Sequence, residues 1–172
     1  MRVKRTQNGD LWVAESVHAR LIEEARAAFP NECCGLLLGR FGRIQIVRPA
    51  RNVHPDPAHR FEIDPQTLLD AHRIERSGGP AVLGYYHSHP FGKPYPSETD
   101  KALSAKDGRI WAIVASRNVR FWEDDRERFV AQTYELMGSR RSRRELPWGN
   151  PLPRLRRGKA KRDVVFIEMI KS

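Results

Sequence analysis

Apolar residues Val17, Leu21, Ile22, Ala25 and Ala28 recur at helical spacing, with Ser16 placed to cap the run and Pro30 to stop it. The pattern predicts a helix over 16–30. "CCGLLLGRF" follows as a short continuous apolar run of strand length, and the alternating "RIQIVRPA" reads as its hairpin partner across Gly39 and Gly42. "RNVHPDPAHR" is a polar, proline-bearing loop, and "RFEI" is predicted as a short strand. A second helix begins with Asp64 as cap and Pro65 in its first turn, and it closes on Gly78 and Gly79. "AVLGYYHSH" has the apolar content of a central strand, and "SETDKALSAKDG" is helical in pattern. "RIWAIVAS", "VRFWEDD" and "RFVAQTYEL" read as three later strands. "DVVFIEMI" at the end is apolar again and is a candidate terminal strand. Helices interleaved with strands of both kinds predict a mixed α/β domain with helices packed on a sheet.

Composition narrows the picture in two places. The chain has 172 residues, the length of one ordinary domain with a core of its own. No apolar run reaches membrane-spanning length, so no membrane role is expected, and the first sixteen residues carry no continuous hydrophobic segment. Cys33 and Cys34 are adjacent and poorly placed to bridge each other; a reducing cytoplasm is the expected location. Both lie in a buried run, where cysteine behaves as a small hydrophobe rather than a nucleophile.

The net charge of +10 is concentrated at one place. Ten Lys and Arg side chains over residues 139–162, against Glu145 alone, carry +9 of it. The remainder is close to neutral. The expected division is a domain over residues 1–137 and a basic C-terminal arm over 138–172. Such an arm could meet nucleic acid or an acidic partner through non-specific electrostatics, but a near-neutral domain offers no groove-reading motif.

The candidate chemistry lies in "GYYHSHPFGKPYPSETD". On a strand, side chains two apart share a face, so His87 and His89 project together and could hold one metal ion. Ser97 stands as the N-cap of the following helix, with Asp100 in the capping-box position, facing back toward the histidines. A hydrolytic zinc takes three protein ligands, often one a carboxylate, and leaves a position for water. The local pattern is equally compatible with a capped helix beside two ordinary loop histidines. A hydrolase would also need a carboxylate as general base, and Glu32, between the first helix and its strand, is a candidate from elsewhere in the chain.

The stretch fits H-x-H-P-x(6)-S-x-x-D, and "PNECCGLLLG" precedes it at the place of a glutamate-bearing strand. In both respects the chain resembles the JAMM (MPN-plus) zinc metalloproteases, of the compact prokaryotic kind, over residues 16–136. The resemblance implies a mixed curved sheet flanked by helices, similar to cytidine deaminases, and a single Zn2+ ion. It implies His87, His89 and Asp100 as zinc ligands and Glu32 as general base and acid. Ser97 would help hold the attacking water and stabilise the oxyanion. Walls of a substrate groove are expected from the loops carrying Asn52, His54 and Phe61 and, after His89, Phe91. The implied activity is hydrolysis of the amide after the C-terminal glycine of a ubiquitin-like protein or its conjugate. That covers deconjugation or maturation, including in bacterial anti-phage conjugation pathways, with conjugation enzymes as partners. Relatives of the same kind process a sulfur-carrier protein or its aminoacyl adduct, which is the alternative.

Overall fold

The structure is a computed structural model that describes residues 11–138. The order of elements is β1 (Leu11–Ala14), α1 (Glu15–Ala28), β2 (Cys34–Arg40), β3 (Arg43–Ala50), α2 (Pro65–Arg76), β4 (Ala81–Ser88), α3 (Glu98–Leu103), β5 (Ile110–Ala115), β6 (Asn118–Asp124), β7 (Phe129–Gln132) and β8 (Tyr134–Met137). The strands form one eight-stranded mixed sheet in the order β7-β6-β5-β4-β2-β3-β1-β8.

The faces of this sheet are set by the period of two along each strand. Leu37 packs under α1 with Val17, Leu21, Tyr86, Ala112 and Val114. Its neighbours Leu36 and Leu38 point the other way, toward Ala71 and Leu68 of α2. Trp111 and Ile113 likewise alternate with Ala112, and gather Trp122, Phe61 and Phe129 on the face opposite α1. Gly35 permits the close pairing at the centre. It lies opposite Tyr86 in the β2–β4 ladder, and a Cβ there would fall 2.6 Å from the Tyr86 ring.

β4 and β5 run parallel, which requires a long crossover between them. That crossover is the proline-rich segment from Pro90 through α3. The two histidines therefore sit where β4 leaves the sheet, at the carboxyl ends of β4 and β5, where open α/β sheets hold their ligands.

Several sequence expectations are corrected here. α1 begins at Glu15, with Ala14 as a cap that makes no side-chain bond, because β1 runs directly into it; Ser16 lies inside the first turn. The pattern of the chain does not predict β1, since "LWVA" is too short to announce a period. "RFEI" forms only an isolated bridge, Ile63 with Asn52. The Glu62 amide is taken by the Asn52 side-chain oxygen at 3.1 Å, not by a neighbouring strand. α3 stops at Leu103 because Asp124 draws the chain away: its carboxylate accepts from Lys106 N at 2.9 Å and its carbonyl from Gly108 N at 2.8 Å. "RFVAQTYEL" is two strands, not one. β7 ends one edge of the sheet and β8 the other, joined by Thr133 alone, so the sheet must curl until its edges approach. The basic stretch from 139 onward and "DVVFIEMI" lie outside the described residues.

Candidate active site

Strand register assembles the site. β2 and β4 pair antiparallel, with Cys34 opposite His87. One step further, Cys33 N donates to Ser88 Oγ at 2.9 Å and Ser88 N donates to Cys33 O at 3.1 Å. The next step in this register brings Glu32 alongside His89. On the other side, His89 N donates to Val114 O at 2.8 Å, extending the ladder with β5. The His89 backbone is thus fixed between two strands although the residue lies just past the end of β4.

His87, His89 and Asp100 converge. The two Nε2 atoms are 2.9 Å apart, and they lie 3.2 Å (His87) and 3.3 Å (His89) from the Asp100 carboxylate oxygens. Tetrahedral zinc bound at about 2.0–2.1 Å sets its donors roughly 3.3 Å from one another. The three side chains already stand at about that spacing. Among the described residues this is the one group of three or more acidic, histidine or cysteine side chains that could hold a metal. Three protein donors without a fourth match a catalytic zinc site rather than a structural one.

Each donor is oriented by its own contacts. His89 Nδ1 donates to Lys93 O at 2.8 Å, which fixes the tautomer and turns the Nε2 lone pair inward. The His87 ring is fully buried, stacked on Phe61 at 4.3 Å and edge-on to Trp111 at 5.7 Å. Asp100 is seated by a capping box: Ser97 N and Ser97 Oγ donate to Oδ2 at 2.7 and 2.8 Å, and Asp100 N donates to Ser97 Oγ at 3.1 Å. The capping residues read from the sequence and the convergence on the histidines are one arrangement. The Ser97 hydroxyl is committed to Asp100.

Electrostatics separates these groups. Burial lowers the His87 pKa, keeping the ring neutral with a lone pair to offer. Burial would also lower that of His89, but its bonds to Asp100 and the Lys93 carbonyl outweigh this and raise it. For Asp100 burial acts upward, yet hydrogen bonds from His87 and His89 prevail and hold the carboxyl well below its ordinary range. Glu32 goes the opposite way. It is 7% exposed, and burial raises its pKa to about 7, with His89 pulling down and Asp100 pushing up. A carboxyl titrating near neutrality can both take and return a proton.

Glu32, His89, Ser97 and Asp100 share one cavity of about 130 Å3, walled by His59, Arg60 and Phe61 on one side and by Thr99 and Leu103 of α3 on the other. A larger groove of about 410 Å3 lies on the far flank of α3, between Tyr95, Lys101 and Trp122, and contains none of these catalytic candidates. The smaller cavity, not the larger groove, carries the chemistry.

The groove residues expected from sequence divide. Phe61 lines the cavity and supports His87. Phe91 is 70% exposed and packs on Phe29 at 5.5 Å, just past the histidines. His54 turns into its own loop, where Nδ1 accepts from Asp56 N at 3.0 Å. Asn52 is a clamp rather than a substrate contact. Its Nδ2 donates to Glu32 O at 3.1 Å and to Arg60 O at 3.0 Å, and its Oδ1 accepts from His54 N and Glu62 N, both at 3.1 Å. All four hydrogen-bonding positions of the amide are used. Asn52→Ala is expected to lower stability by about 2–3 kcal/mol, as the loop carbonyls and amides lose their partners, and to lower activity with it. Urea unfolding measures the first; unchanged stability would contradict the clamp.

Trp111, Arg60, Thr99 and Leu103 line the cavity without having been singled out from the sequence. Only the tertiary fold brings them there, and no local motif marks them. His18 and His72 stay on their helices, beside Tyr134 and Glu75. Cys33 and Cys34 are buried, and burial raises their thiols to about 11 and about 12, far from reactivity.

Residues 14–125 match the family described as prokaryotic homologs of the JAB domain. Among characterised proteins, a desampylase of Haloferax volcanii is 34% identical over 98 residues, covering 56% of this chain and 69% of that protein. A probable TtuB-protein conjugate cleaving protease of Thermus thermophilus is 40% identical over 86 residues, 50% of this chain and 55% of that one. A CysO-cysteine peptidase of Mycobacterium tuberculosis is 29% identical over 109 residues, 61% of this chain and 72% of the other. The solution structure of a Desulfitobacterium hafniense protein superposes with a TM-score of 0.67 at 27% identity, covering 74% of this chain and 93% of its own. A JAB1/MPN domain protein of Archaeoglobus fulgidus shares the fold at a TM-score of 0.53 and 20% identity, covering 74% and 98%. With the fold, the two-histidine, one-aspartate cluster and the family match in agreement, this chain belongs to the prokaryotic branch of the JAB (JAMM/MPN) metalloprotease family.

Proposed function

We propose that the chain is a zinc-dependent peptidase that hydrolyses the amide after the C-terminal glycine of a ubiquitin-like protein. The observation that carries this reading is a three-donor metal cluster, two of whose members, His89 and Asp100, line one cavity with a buried glutamate of pKa about 7. The fit of the donors supports zinc as the resident ion, and a zinc ion bound there would polarise the scissile carbonyl and acidify a water molecule.

The rest of the reaction falls to the chain's own side chains. Glu32 takes the proton of the attacking water and returns it to the leaving nitrogen. Ser97, whose one hydroxyl proton is given to Asp100, fixes the carboxylate donor at the edge of the cavity. Phe61 and Trp111 keep the His87 side of the cavity dry. About 130 Å3 admits a slim glycine-ended tail and excludes folded protein, which suits a ubiquitin-like terminus.

The names of the relatives favour the same class: a desampylase, a protease for TtuB conjugates and a CysO-cysteine peptidase. The last favours a second reading, release of an amino acid from a sulfur-carrier protein. On either reading the partner is the small protein or its conjugate, with enzymes of its conjugation pathway nearby. The setting is a reducing cytoplasm, which suits the free thiols. The basic stretch after residue 138 is the segment that nucleic acid or an acidic partner would meet.

The test is cleavage of a ubiquitin-like protein extended beyond its terminal glycine. The expected result is one zinc per chain, hydrolysis directly after the glycine, loss of activity on chelation and recovery on adding zinc. A metal-free protein as purified, with no activity restored by zinc, would sink the proposal.

A further inference from the structure

The wall of the cavity beside Glu32 carries one uncommitted cation. His59 is engaged by Asp56, Nδ1 to Oδ1 at 3.1 Å. The Arg60 side chain is exposed, lines the same cavity, and has no ion pair or hydrogen bond to its guanidinium among the described residues. Its backbone, by contrast, is held at three points. Arg60 N donates to Asp56 O at 3.1 Å, Arg60 O accepts from Asn52 Nδ2 at 3.0 Å, and the next residue, Phe61, is stacked on His87. A long flexible charge is thus mounted on a fixed base at the mouth of the site.

Its side of the site can be read from Glu32. Asn52 Nδ2 donates to the carbonyls of both Glu32 and Arg60, so the two residues rise from neighbouring points. Glu32 returns the proton to the leaving nitrogen and must border the leaving group. Arg60 then borders the leaving group too. A lysine side chain joined through an isopeptide bond brings only methylenes to that place. An amino acid joined through its α-nitrogen brings a carboxylate two bonds from the scissile nitrogen, within reach of a guanidinium fork. The cavity, about four water volumes at ~30 Å3 each, is of amino-acid size.

We propose that Arg60 is a specificity residue that binds a carboxylate on the leaving group. The preferred substrate is then a glycine-ended small protein bearing a single amino acid through its α-amino group. This rests on the peptidase reading above and selects among its substrates.

The experiment uses the zinc-loaded full chain and a sulfur-carrier protein ending in Gly-Gly extended by one alanine, prepared as the free acid and as the carboxamide. The two substrates differ only in the charge. Wild type is expected to favour the acid roughly tenfold or more in kcat/KM, Arg60→Ala to bring the ratio near one, and Arg60→Lys to restore part of it. A second readout avoids turnover: the Glu32→Gln chain, titrated with each uncleaved substrate, should bind the acid form more tightly, and the Glu32→Gln, Arg60→Ala double variant should not. Equal rates for acid and amide in wild type, or a preference that survives Arg60→Ala, overturn the role of Arg60 and leave the peptidase reading standing. Cleavage of neither form overturns both.

Discussion

Glu32→Gln is expected to keep its zinc, lose activity by a factor of 10² to 10⁴, and become more heat-resistant than wild type above neutral pH when the metal is removed. The first two effects follow from the role proposed for Glu32 in moving the proton, since glutamine occupies the same space and cannot take one. The third follows from burial. The Glu32 pKa is about 7 in the folded chain against an ordinary 4.5. A raised pKa means that the native state holds its proton more tightly. The resulting stability is fully present below pH 4.5 and is lost as the pH rises through about 7. Above that, wild type carries a buried, destabilising carboxylate that glutamine removes, a gap on the order of 2–3 kcal/mol. Bound zinc, as a nearby positive charge, should narrow it. Thermal unfolding with a chelator, at pH 5 and pH 8, tests the argument. Equal melting temperatures at pH 8 would mean that Glu32 is better solvated than its burial indicates.

Asp100→Asn is expected to abolish activity by the other route, through loss of the metal. The substitution leaves two neutral imidazoles and no anion, and zinc affinity should fall by roughly three orders of magnitude or more. Zinc content after dialysis, read by metal analysis, is the direct measurement; a stoichiometric ion in the variant would remove Asp100 from the ligand set. The asparagine oxygen can still accept from Ser97 N, so the start of α3 should survive, whereas Asp100→Ala should also lose a cap contribution of about 1 kcal/mol. The stability effect has the opposite sign to that of Glu32. The Asp100 pKa lies below its ordinary value, so its contribution is present above about pH 3.8 and fades as the pH falls further. Metal-free Asp100→Asn should therefore be less stable than wild type at pH 7, with the gap closing toward acid. Two carboxyls in one cavity, moved in opposite directions, suit the proposed division between ligand and proton carrier.

The legible part of this site was the part with a local cause. Two histidines at strand spacing and a Ser–Asp capping box are short-range patterns, and both stand in the structure as the sequence implied. Glu32 was one candidate base among the chain's carboxylates until the resemblance singled it out, because nothing in residues 30–34 alone says that β2 will pair with β4 in the register that sets it beside His89. Asn52 misled for the same reason. A polar residue in a loop near the site reads as a contact, and only the folded loop reveals four internal partners. Trp111 reads as an ordinary strand residue, and its contact with His87 depends on the parallel crossover. The break at Thr133 was equally invisible: apolar alternation continues through it, while the two halves belong to opposite edges of the sheet.

That one-residue passage has a kinetic side. β8 pairs with β1 from Leu11 opposite Tyr134, residues 123 apart (134 − 11), and the contact cannot form until nearly everything between them is in place. Loop-closure entropy makes such a seam a late event in folding. With only four residues on each strand, it should also be the first ladder to open in the native state. Amide exchange in β1 and β8 faster than in β2 and β4 would mark the seam, and it would make this edge, remote from the zinc cluster, the place where the life of the folded molecule is decided.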